Sequence, residues 1–147
     1  MNSLKIWRLR MLTSDQIATL LWQKLKDLAA NQTIPIAGSV WNGHRRSVGE
    51  DIVIPLPVTH GFGNRQQADV NINVFADDLP KSGNVSEANE GRLATLSQAL
   101  SESFISTFDE TFPIFGIENV TQTKLSEPSA NQHYINFLLH IDIYDYE

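Results

Sequence analysis

Between Gln67 and Asp77 the chain alternates, with Val70, Ile72 and Val74 on one side and Asp69, Asn71 and Asn73 on the other. Successive side chains of a strand point to opposite faces, so this segment predicts a sheet with one buried and one polar face. Tyr134 to Tyr146 repeats the pattern. Ile135, Phe137, Leu139, Ile141 and Ile143 fall on one face; Asn136, Leu138, His140, Asp142, Tyr144 and Tyr146 fall on the other. Two other segments have helical spacing. Thr13-Ser14-Asp15-Gln16 reads as a capping box. Ile17, Leu20, Leu21, Leu25 and Leu28 then recur at three- and four-residue intervals, with Trp22 beside the stripe. That helix should end near Asn31, because Pro35 disfavours helix at Ile34. A second helix is expected from Ser86, with Glu87 and Glu90 at its positive end. It should run to about Phe108 on a stripe of Leu93, Leu96, Leu100, Phe104 and Phe108.

The remaining segments are shorter. Gly38 to Trp41 predicts a strand, ended by the turn pair Asn42-Gly43. His44 to Glu50 reads as a loop. Asp51 to Val58 is rich in β-branched residues, but Pro55 and Pro57 cannot donate to a ladder, so the strand lies at an edge or breaks at Pro55. Gly61-Phe62-Gly63-Asn64 reads as a flexible connection into the Gln67 strand, the two strands forming an antiparallel hairpin. Asp77 to Val85 is a loop, Ile114 to Lys124 a further strand, and Glu127 to Asn131 a polar hairpin loop. The fold class expected is α+β: a mostly antiparallel sheet of about four to five strands with two helices packed on one face.

Composition narrows this only slightly. A chain of 147 residues suits one domain, taken as 13–147 after a basic N-terminal arm, 1–12, carrying Lys5, Arg8 and Arg10. With 41% hydrophobic and 19% charged residues, the chain belongs to the ordinary globular class. The absence of cysteine excludes disulfides, thiolate metal sites and cysteine nucleophiles. No apolar run approaches a membrane span, and the first ten residues lack the apolar stretch of a signal peptide. A formal charge of −6 argues against broad binding to a phosphate backbone, leaving only the short patch His44-Arg45-Arg46.

Candidate chemistry is sparse. His44, His60, His133 and His140 are scattered and form no helical zinc pair. His140 and Asp142 share a strand face, close enough to share a metal or a proton; two polar residues on a solvated or interface-facing side is the plainer reading. Asp77-Asp78 could seat a hard cation, but no calcium-loop pattern follows. The serines lack a nucleophile-elbow context, and Gly61-Phe62-Gly63 is no phosphate loop. Phe104, Phe108, Phe112 and Phe115 read first as core and otherwise as a subunit contact. No cofactor is implied. The candidate interface residues are Trp41, Arg45, Arg46, Asp77, Asp78, Tyr144 and Tyr146; tyrosine in particular is favoured where surfaces meet.

Taken together, the N-terminal amphipathic helix, the Gly38-Ser-Val-Trp-Asn-Gly-His-Arg-Arg46 segment, Glu50-Asp51-Ile52-Val53-Ile54, and the Val70-Asn-Ile-Asn-Val74 strand form a pattern. With the Asp-rich loop, the long second helix and the C-terminal hairpin, it resembles small neck and tail proteins of phages and prophages, the tail-terminator or tail-completion group. The resemblance runs from about Met11 onward. It implies a non-enzymatic structural component that forms a homo-oligomeric ring, commonly hexameric, terminating the tail tube or joining it to the head. Tail-tube and head-completion proteins would be its partners, and virion tail or host cytoplasm during assembly its location. No specific nucleic-acid binding and no membrane association are expected; an acidic lumen would let DNA slide past. Two other readings remain: a small metal-dependent hydrolase using His140 and Asp142, and a nucleic-acid-binding α+β module using Arg45 and Arg46.

Overall fold

The computed structural model describes residues 11–62, 65–80 and 87–144. The fold is α+β: a mixed six-stranded sheet with three α-helices. The strands are β1 (Val40–Asn42), β2 (Ile52–Ile54), β3 (Val58–Phe62), β4 (Arg65–Asp77), β5 (Phe115–Glu127) and β6 (Gln132–Ile143). Their order is β1-β2-β4-β6-β5, with β3 also pairing β4. All pairings are antiparallel except β1 with β2, which is parallel. The sheet is therefore one strand larger than the upper expectation and mixed. The extra strand arises because Pro55 and Pro57 split the Asp51–Val58 segment, leaving β2 and β3 to meet β4 at separate places.

Alternation sorts the two faces as expected. On β4, Ala68, Val70, Ile72, Val74 and Ala76 are buried; on β6, Phe137, Leu139, Ile141 and Ile143 are buried and Ile135 is half-buried. Helices α1 (Ser14–Ala30) and α2 (Glu90–Leu100) join this inner face in a single core. The α1 capping box is fully formed: Gln16 N donates to Thr13 Oγ1 (3.1 Å), and Thr13 N donates to Gln16 Oε1 (2.8 Å). Leu20 is 36% exposed and stands off the core; Ala18 takes the buried place beside Ile17 and Leu21. Gln66, on the inner side of β4, ties down the approach to α1. Its amide accepts from Leu12 N (2.9 Å) and donates to Leu12 O (2.7 Å).

The second helix departs from expectation at both ends. α2 begins at Glu90, where the Asn89 side chain accepts from Arg92 N. Ser86 lies outside the described residues. A π-helical turn, Ser101–Ile105, then precedes α3 (Phe108–Thr111). The spacing offers a reason: Leu100, Phe104 and Phe108 are four apart, which in an α-helix drifts by about 40° per step at 3.6 residues per turn. One wider turn takes up the drift and keeps Leu100, Phe104 and Phe108 all at 1% exposure or less. Phe104, Phe108, Phe112 and Phe115 are packed with centroids 5.0–6.1 Å apart, as core.

Other boundaries moved less. β1 starts two residues later and ends one residue later than predicted, followed by Gly43 at φ +98°, a conformation that favours glycine. Gly61 and Phe62 belong to β3 and not to its connection. The connection's Gly63 and Asn64 lie outside the described residues, as do the first ten residues of the basic arm and Tyr146. Among the described residues no helix is long and apolar enough to cross a membrane.

Candidate functional site

Among the described residues no helix covers the outer face of β4, β6 and β5, and its polar side chains meet across the strands. Register decides which. Asp69 on β4 faces His140 on β6, and β3 brings His60 alongside. His140 Nδ1 lies 2.5 Å from Asp69 Oδ1, and His60 Nε2 lies 3.1 Å from Asp69 Oδ2. One carboxylate thus holds two imidazoles. Partial burial pushes the Asp69 pKa up, but the hydrogen bonds and charges of His60 and His140 outweigh it and hold the carboxyl below its ordinary value.

Asp142, the other half of the predicted pair, has different company. Its Oδ1 accepts from Gln67 Nε2 (2.9 Å) and Arg65 (3.3 Å), and Tyr144 Oη is 3.5 Å from Oδ2. Partial burial, then the Asp142 charge, raise the Tyr144 pKa. His140 and Asp142 share a strand face as expected, but each is engaged by separate neighbours. Next to them lies a ladder of amides: Asn136 Nδ2 donates to Asn73 Oδ1 (2.7 Å) and Asn71 Oδ1 (3.0 Å).

One end of this face is closed by the loop between β1 and β2. Phe75 stacks on Tyr134 with centroids 4.6 Å apart, and the Arg45 guanidinium sits 3.9 Å from the Phe75 ring centroid. Arg45 also reaches Asp51, whose buried carboxylate accepts from Ser39 N (2.8 Å). Arg45 is therefore built into the fold, whereas Arg46 is exposed. Arg45, Arg46, Val48, Glu127 and Ser129 line a depression of about 290 Å³ at this rim.

The other predicted interface residues are dispersed. Trp41 is half-buried on β1, and its buried Nε1 has no partner among the described residues. Asp77 is exposed and accepts from Gln132 Nε2 (2.9 Å). The Asp78 side chain is 3% exposed, with Oδ1 only 2.6 Å from His133 Nδ1. Tyr144 is 50% exposed. Sequence reasoning missed both the His60–Asp69–His140 cluster and the Asp78–His133 pair. The alternating polar positions held the only signal, and it says nothing about which strands are neighbours.

Among the described residues, no group of three or more His, Asp or Glu side chains is placed to hold a metal ion. What the outer face offers chemically is a broad array of donors and acceptors, most already satisfied by one another. No protein-family model matches this chain. No curated protein matches it either.

Proposed function

We propose that this protein is a non-enzymatic structural component of a phage or prophage tail or neck, assembling into a ring that terminates the tail tube or joins it to the head. The observation that carries the reading is the outer sheet face. Its ionisable groups are engaged by partners across strands, Asp69 by His60 and His140, and Asp142 by Arg65 and the Gln67 amide. A mutually satisfied, broad and open face suits contact between large surfaces better than it suits turnover of a small molecule. The sequence resemblance from Met11 onward supplies the tail assignment. The overall charge of −6 fits a ring whose lumen repels the DNA backbone.

The test is assembly. Light scattering coupled to gel filtration, with negative-stain microscopy, should show closed rings for the protein alone or with a tail-tube protein. A chain that stays monomeric with and without that partner overturns the reading.

A further inference from the structure

A sheet leaves unpaired N–H and C=O groups along its edges, and folded proteins usually cover, shorten or charge them. Here the edges are treated unequally. At β1 the open edge is met by α1: Trp22 Nε1 donates to Val40 O (2.9 Å). β3 is short, starts directly after Pro57, and has Met11 packed against Gly61. The start of β5 is guarded as well. Asp109 Oδ1 accepts from Ile117 N (3.2 Å), and the register shifts between Ile117 and Asn119. Beyond that shift, Asn119 to Glu127 pairs residue for residue with β6 on one side. On its other side no described element pairs with it. Every residue from Thr121 to Ser126 is exposed, there is no proline, and the one lysine, Lys124, is drawn onto Glu90 of α2.

We propose that the Asn119–Glu127 edge of β5 is a docking strand for a second copy of this chain, added antiparallel about a two-fold axis through Thr123. The occupant follows from the edges. β5 is the one long open edge among the described residues, so a sheet continued from copy to copy must join β5 to β5. The register follows from the bounds: the regular run lies between the shift at Glu118 and the turn at Pro128, and Thr123 is its middle residue. In that register Thr121 opposes Leu125, Gln122 opposes Lys124, Val120 opposes Ser126 and Asn119 opposes Glu127. No like charges are placed directly opposite, and Leu125, 41% exposed, gains cover from Thr121. This contact is isologous, hence distinct from the head-to-tail contact of a ring, and it does not depend on the tail assignment.

The protein has no native cysteine, so Thr123→Cys tests the axis directly. A residue on the axis meets its own copy, so mild oxidation should give a disulfide-linked dimer. Thr121→Cys, whose two copies lie far apart along the strands, should link much more slowly. Thr123→Lys should shift the monomer–dimer midpoint to severalfold higher concentration, as should Thr123→Glu, and an equimolar mixture of the two should restore pairing as a heterodimer. Circular dichroism on each variant checks folding. Monomeric wild-type protein across the concentration series overturns the proposal, as do equal linking of both cysteine variants or a Lys/Glu mixture that fails to pair. Rings that persist in Thr123→Lys support two separate contacts. Absent rings with Thr123 cross-linking intact refute only the tail reading.

Discussion

Arg92 on α2 and Glu50 in the loop before β2 form a two-pronged ion pair: Nε lies 2.6 Å from Oε2 and one terminal nitrogen 2.5 Å from Oε1. Arg92 also donates to Pro35 O (2.6 Å), and Glu50 accepts from Ala37 N (2.8 Å). The pair therefore pins the α1–β1 connection, the β1–β2 loop and α2 at one point. Planar, forked geometry is what arginine supplies and lysine does not. Arg92→Lys should keep the charge yet lose much of the stabilisation, and Arg92→Ala should cost about 2–3 kcal/mol. Urea unfolding of the three proteins checks both.

The same pair sets an acid limit. The Arg92 hydrogen bond, aided by Ala37 N–H and opposed by burial, holds the Glu50 carboxyl below its ordinary 4.5. A depressed carboxyl stabilises the fold fully above the unfolded value and ceases to do so as pH falls through the folded one. Stability measured from pH 7 downward should fall through that window, and Glu50→Gln should be less stable at pH 7 but show a shallower acid decline.

Gly38 permits a close approach that no other residue allows. A Cβ built there would lie 2.1 Å from Asp51 Oδ1 and 2.6 Å from the Glu50 backbone oxygen. Gly38→Ala should destabilise by about 1–3 kcal/mol through displacement of buried Asp51. Thermal unfolding measures the cost; an unchanged Tm would contradict the geometry.

On the outer face, Asp69 should titrate below the usual aspartate range. Replacing both His60 and His140 by Ala should return it upward, since the imidazoles lower it and the remaining burial raises it. Carboxyl NMR titration resolves the shift. Because Asp69 is 34% exposed, the double variant should change global stability little.

Phe104 belongs to the aromatic cluster, 1% exposed, in contact with Phe108 and Phe112. Phe104→Ala should cost about 3–5 kcal/mol. Calorimetry checks the value, and loss of near-ultraviolet dichroism would report the loosened packing.

Much of this fold was legible in the chain. Helix α1 followed from Thr13, Gln16 and the leucine stripe, because capping and helical spacing are local. The buried faces of β4 and β6 followed from Val70, Ile72, Val74, Phe137, Leu139 and Ile141, because alternation in a strand is fixed by backbone geometry. That the Asp51–Val58 strand must lie at an edge or break at Pro55 followed from a missing donor, and the structure takes the break. The π-turn after Leu100 was not foreseen, since it answers the shape of the core that Phe104 and Phe108 must fill.

Partnerships between distant residues came only with the tertiary structure. Nothing local relates His60 and His140 to Asp69, or Arg92 to Glu50; they meet because β3 and β6 flank β4 and because α2 crosses the loop before β2. Local spacing determines which way a side chain points. Which group it then meets depends on strand order and register, set by the burial of the whole inner face together, and on that arrangement both the outer polar cluster and the open β5 edge depend.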